Sequence, residues 1–241
     1  LFIYINSYYN YFGDVMYNTK KNIDKIKRGE HTFFLDPKEA NLVKGKLKKD
    51  EYKIYSPYPD SNKVILYKDK LPNVILYEIK SKTPLRHQDI LGSMFSLNIT
   101  NEVFGDIIVD NDKYYIYVLD IIDKYIKSNL LFIKNSEIEL EELEIDTLID
   151  YHQKYEEYTI IVSSLRIDTI ISRITNTNRS SVIDRIKNKE ILVNYEVLTK
   201  SSYTLKENDI FSIRKSGKYK FIGIEKTTKK DNYIIKYLKY V

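Results

Sequence analysis

Apolar and polar positions alternate with a period that changes along the chain, and each change predicts an element. From Asn6 to Arg28, apolar and aromatic residues recur at helical spacing (Tyr8, Phe12, Val15, Met16, Ile23, Ile26), with Gly29 placed as a helix stop. Asp36-Pro37 supplies a capping carboxylate and a first-turn proline for a second helix carrying Ala40, Leu42, Val43 and Leu47. Ser56-Pro57-Tyr58-Pro59-Asp60 is rich in turn formers and breaks the pattern.

The middle of the chain is more regular. Val74-Ile-Leu-Tyr-Glu-Ile79 reads as a strand, and Arg86 to Leu97 places Ile90, Leu91, Met94 and Phe95 at helical spacing. Strands follow at Asp106–Val109 and Tyr114–Leu119, around the turn-forming Asp110-Asn111-Asp112-Lys113. A helix is expected over Asp120–Leu130, and a half-buried strand at Glu137–Leu140. The order is β-α-β-β-α-β, the split βαβ pattern of ferredoxin-like and RRM-like domains. Tyr114, Tyr115 and Tyr117 are the rings such a sheet could present to a base.

Beyond it, Ser164 to Ile174 puts Ile167, Ile170, Ile171 and Ile174 on one helical face, with Arg166 and Arg173 two turns apart on an adjacent stripe. Asn178 is placed to cap a second helix, Arg179 to Lys187, which buries Val182, Ile183 and Ile186. Arg179-Ser180-Ser181 at its start combines a guanidinium and two hydroxyls with free backbone N–H groups, chemistry suited to a phosphate. Short strands follow at Ile191–Val193 and Val197–Leu198 across a tight turn at Asn194-Tyr195, then at Ile210–Arg214 and Lys218–Ile224.

Charge sharpens this division. The 241 residues carry a net charge of +5, only mildly basic, and Tyr, Lys, Asn and Ile are abundant in a way that reflects an AT-rich genome. From Ser164 onward, however, 17 basic residues face 8 acidic ones, against 22 and 26 before it. The last third of the chain therefore reads as a separate anion-binding module. Asn135 to Glu157, with nine acidic residues and one Lys, reads as a solvated strand and connector separating it from the middle.

The same inventory removes several chemistries. There are no cysteines, so there is no disulfide framework, thiolate metal site or cysteine nucleophile. His31, His87 and His152 lie far apart, with no partner three or four residues on. No phosphate-binding glycine loop or serine nucleophile elbow occurs. No apolar run approaches the ~20 residues that span a bilayer, and Leu1-Phe-Ile-Tyr-Ile-Asn6 lacks the charged start of a signal peptide. A cytoplasmic protein is expected; its start at Leu1 leaves room for residues upstream.

Ser164-Leu-Arg-Ile-Asp-Thr-Ile-Ile, Asn178-Arg-Ser-Ser-Val-Ile-Asp-Arg-Ile-Lys, Ile191-Leu-Val-Asn and Glu207-Asn-Asp-Ile-Phe-Ser-Ile-Arg214 arrive in the order of an S4 RNA-binding domain, and the resemblance covers about 60 residues. Ile167, Asn178 and Asn208 stand where that pattern usually has Leu, Ser and Gly, and Lys189-Glu190 where it has Gly and a basic residue. Upstream, Phe34-Leu-Asp-Pro37, Leu85-Arg-His-Gln-Asp-Ile-Leu-Gly92 and Phe104-Gly-Asp-Ile-Ile-Val109 resemble the YlmH family of bacterial proteins, with Gln88 where the family usually has Arg.

The resemblance implies an α+β chain with an α-rich region at 1–72, an RRM-like middle domain at 73–157 and an S4 domain at 163–241. It implies binding to RNA, namely 23S rRNA of the large ribosomal subunit and also tRNA, in the rescue of stalled translation. No cofactor, metal, membrane or small-molecule substrate is expected, no catalytic residue is assigned, and a monomer is expected. The expected RNA contacts are Arg166, Arg173, Arg179, Ser180, Arg185, Lys187, Asn194 and Arg214. Two alternatives stay open: an accessory to an RNA-modifying enzyme of pseudouridine-synthase type, and a protein-interaction factor linked to cell division.

Overall fold

The computed structural model describes residues 11–241, with side chains from 17 onward. Tyr8 of the first expected helix lies outside the described residues, and Phe12, Val15 and Met16 outside the described side chains. The chain is α+β and forms two compact units, divided between His152 and Gln153.

The first unit opens with α1 (Tyr11–Lys27), which ends at Gly29 with φ at 84°, and α2 (Pro37–Lys44). Asp36 caps α2 through the Glu39 N–H at 2.8 Å, and the Glu39 carboxylate accepts from the Asp36 N–H at 3.1 Å. A short hairpin follows, β1 (Lys53–Tyr55) with β2 (Ile65–Tyr67), which the sequence pattern does not predict. Three-residue strands are too short to establish an alternation.

Then come β3 (Val74–Ser81), α3 (His87–Ser96), β4 (Phe104–Asp110), β5 (Lys113–Leu119), α4 (Asp123–Asn129), β6 (Phe132–Ile133) and β7 (Ser136–Leu143). They build an antiparallel sheet in the order β4-β5-β3-β7-β6. The helix expected from Asp120 begins as a 3-10 turn over Asp120–Ile122. Phe34, Tyr58 and Ile65 join the core of this sheet, so the described residues before 73 belong to the same compact unit as the sheet. Tyr114, Tyr115 and Tyr117 are core residues at 3%, 7% and 0% exposure, and they present no rings to solvent. The apolar run Tyr114–Leu119 is buried on both faces, the condition under which alternation vanishes.

Gly105 sits where β4 slips its register against β5. A Cβ there would meet the Phe34 ring and the Tyr117 Cβ at 3.0 Å. Gly105→Ala is expected to cost about 1–3 kcal/mol, the range for overpacking a filled core, measurable as a lower thermal midpoint with the fold retained.

The second unit begins with β8 (Tyr155–Val162), followed by α5 (Ile167–Thr175), α6 (Arg179–Lys187), β9 (Ile191–Val193), β10 (Glu196–Val197), β11 (Ile210–Ile213), β12 (Gly217–Thr227) and β13 (Tyr233–Tyr240). Its sheet runs β10-β9-β11-β12-β13-β8, and Ile167, Ile170, Ile171, Val182 and Ile186 pack into one core with residues such as Phe211 and Phe221. The residue 157 boundary expected from sequence falls inside β8, whose Glu156 and Glu157 pair with Lys239 and Lys236 across the ladder at 3.7 and 2.7 Å. The end of the acidic stretch is thus a strand of the basic unit and offsets part of its charge. From Gln153 onward 18 basic residues face 10 acidic ones, so the unit keeps its positive sign.

Candidate nucleic-acid interface

Asp168 lies in the first turn of α5 and is fully buried. A buried carboxylate is costly unless paired, and this one is paired twice. Arg166, the residue capping α5, donates through Nε at 3.1 Å and Nη2 at 2.9 Å; Arg179, the first residue of α6, donates through Nη2 at 2.8 Å. Burial pushes the Asp168 carboxyl up, and the hydrogen bonds from Arg166 and Arg179 outweigh it, holding it down at about 2. The two guanidinium-bearing side chains remain 40% and 52% exposed. One buried anion therefore fixes two cations at the starts of two helices, leaving their outer edges to solvent.

The turn between the helices is built for this. Asn176 ends α5 in the left-handed conformation at φ 51°, and Asn178 caps α6 by accepting from the Ser181 N–H at 2.8 Å. Asn178 also accepts the Ser180 hydroxyl at 2.8 Å, so that hydroxyl is engaged in the cap.

The other expected contacts are dispersed. Arg173 on α5 is exposed, and among the described residues it makes no ion pair. Arg185, near the far end of α6, turns inward to Glu190 at 3.1 Å, the Ser216 hydroxyl at 3.3 Å and the Arg214 carbonyl. Arg214 itself is exposed, while Lys187 is exposed and faces Asp184 at 3.5 Å. Asn194 is structural. With φ at 49° it turns β9 into β10 with Tyr195, and its side chain donates to Asp209 at 2.8 Å and accepts from the Ile210 N–H at 3.0 Å. Geometry thus brings together Arg166 and Arg179, with Ser180 beside Arg179, and leaves the rest as separate charges or supports.

The departures from the S4 pattern are accommodated in the backbone. Asn208 and Lys189 both take positive φ, at 69° and 58°, in positions where the pattern has glycine. Glu190 is absorbed by its pair with Arg185.

In the first unit Asp106 accepts from the Tyr58 hydroxyl at 2.8 Å, the Ser61 hydroxyl at 3.1 Å and the Asn62 N–H at 2.7 Å, a loop-ordering role. Beside it, burial lowers the Lys63 ammonium to about 8; it donates to the carbonyls of Asn101 and Phe104 at 2.6 and 2.7 Å. Among the described residues no group of three or more His, Cys, Asp or Glu could hold a metal, and no helix is long and apolar enough to cross a membrane. The geometry offers shaped positive charge.

Residues 73–147 match the family described as "Putative RNA-binding domain in YlmH". Over 147 residues the chain is 26% identical to Ribosome-associated protein quality control protein P2 of Bacillus subtilis (strain 168), covering 61% of this chain and 57% of that protein. The chain thus spans little more than half the length of that curated relative. A solved structure named Cell division protein ylmH from Streptococcus pneumoniae matches with a TM-score of 0.46 at 21% identity, over 58% of this chain and 93% of that one. The chain is an α+β protein carrying a domain of an RNA-binding-domain family. Over residues 73–147 it is similar to the YlmH family.

Proposed function

We propose that this chain is a non-enzymatic, cytoplasmic RNA-binding protein that docks on 23S rRNA of the large ribosomal subunit, with tRNA as a further contact, in the quality control of stalled translation. Its second unit acts as an S4-type module, and the β-α-β-β-α-β sheet of the first as an RRM-like one. The observation that carries the reading is the Asp168 clamp. Two arginines held by one buried carboxylate form a rigid, exposed cationic pair, the geometry that positions a protein on phosphates. The family match at 73–147 and the ribosome-associated relative support RNA as the partner class. Asp168 is fully buried beneath both guanidiniums, which argues against its use as a nucleophile on a base. Co-sedimentation tests the reading: the full chain should pellet with isolated large subunits at moderate salt and less with small ones. A chain that stays in the supernatant with both would overturn it.

A further inference from the structure

The first unit repeats the clamp. Asp89, in the first turn of α3, has a side chain only 5% exposed. It accepts from the Arg86 N–H at 2.9 Å, from Arg86 Nε at 3.0 Å and Nη2 at 2.9 Å, and from Lys134 Nζ at 2.8 Å. Arg86 caps α3 as Arg166 caps α5, and the two segments share a spelling: Leu85-Arg86, then Asp89-Ile90, against Leu165-Arg166, then Asp168 and Ile170. The Arg86 bonds hold the Asp89 carboxyl far below the ordinary range; burial opposes them, and Lys134 adds to them. The cations stay outside, with Arg86 64% and Lys134 50% exposed.

Two further features separate this arrangement from an ordinary surface ion pair. Lys134 sits in the β6–β7 turn at φ 55°, where glycine or asparagine would meet no penalty. The chain holds a lysine there at a backbone cost. Phe132, two residues earlier, is 57% exposed, while Ile133 between them is fully buried in the core. The hairpin packs beside α3, and the hydrogen bond between the Ser81 and Ser136 hydroxyls at 3.0 Å ties it to the end of β3, next to exposed Lys82. The acidic residue opposite Phe132 in the hairpin is Glu137.

We infer that Arg86 and Lys134, clamped by Asp89 and flanked by the Phe132 ring, form a second RNA-binding site that takes an unpaired nucleotide. The cations hold its phosphates and the ring stacks on its base. This rests on the RNA-binding reading above and adds a separate site and a substrate class. Asp89 is a positioning residue, and Arg86, Lys134 and Phe132 touch the ligand.

Binding of the full chain to fluorescent oligouridylate, across a salt series, tests the site. The triple variant Arg86→Gln, Lys134→Gln, Asp89→Asn avoids leaving a buried charge unpaired, and its thermal midpoint confirms folding. It should bind roughly tenfold more weakly, with a salt slope smaller by about 1.4, the value for two single-strand phosphates at ~0.7 each. Phe132→Ala should bind roughly 5- to 100-fold more weakly with the slope unchanged, as expected for a lost stack. Exchanging the cations, Arg86→Lys with Lys134→Arg, should restore the slope. Folded variants that bind oligouridylate as the wild type does, with the same slope, would overturn the site. So would a wild type that binds large subunits but no oligouridylate. A wild type that binds neither RNA overturns the RNA-binding reading first.

Discussion

Neutralising the second-unit clamp, with Arg166→Gln, Arg179→Gln and Asp168→Asn in one chain, is expected to weaken binding to large ribosomal subunits by roughly 10- to 100-fold at moderate salt. That is the effect of losing two phosphate contacts at about 0.7–1.4 kcal/mol each, the net range of a protein hydrogen bond. All three positions must change together. Replacing the arginines alone strands a fully buried carboxylate, a fault worth about 3–5 kcal/mol of stability, so weakened binding would then report misfolding. An equilibrium titration beside a thermal melt separates the two. A folded triple variant of wild-type affinity would remove Arg166 and Arg179 from the interface.

Asp168→Asn alone gives the second large effect, and its sign is informative. The folded carboxyl is held at about 2, below its ordinary 3.8, so ionised Asp168 favours the folded state. The contribution, about 2 kcal/mol, is complete above the unfolded value and lost as pH falls through the folded one. Wild type should therefore exceed Asp168→Asn in denaturant stability at pH 6 to 7, and the gap should close between about pH 4 and pH 2. RNA affinity adds a second readout. If Asp168 contributed only its negative charge, removing it would strengthen binding to phosphates. If it holds the guanidiniums in place, binding weakens, and weakening is the expected result. A tighter Asp168→Asn variant would rule out the positioning role.

Much of this arrangement was legible in the sequence, for identifiable reasons. Asp36-Pro37, Gly29 and Asn178 act within a few residues of themselves, so their caps and stops fall where local chemistry predicts. The β-α-β-β-α-β order emerged because each strand and helix there is long enough to show its period. β8 and β13 were not legible as partners, since the acidic start of one meets the lysines of the other only across the ladder. Tyr114, Tyr115 and Tyr117 looked available because a strand buried on both faces has no polar alternation to show which rings are hidden.

At the interface, Arg166 and Arg179 were visible on two expected helices, and the structure adds that the Asp168 carboxylate holds both arginines. Arg185 and Asn194 share the residue types of a phosphate site, but their partners Arg214, Ser216 and Asp209 lie 15 to 31 residues away and turn them inward. Lys134 went unnoticed because it meets Asp89 from 45 residues on. The available signal was the repeated Leu-Arg before an Asp and an Ile, at Leu85 and again at Leu165.

Whether the protein holds RNA through phosphates fixed on clamped cations is decided by the salt dependence of its binding to isolated large subunits. The logarithm of the wild-type association constant should fall linearly with the logarithm of salt concentration between ~50 and ~200 mM. For the Arg166→Gln, Arg179→Gln, Asp168→Asn chain, the slope should be shallower by about 1.4 to 1.8, two phosphates' worth. A flat wild-type response, or equal slopes for the two chains, would contradict the account.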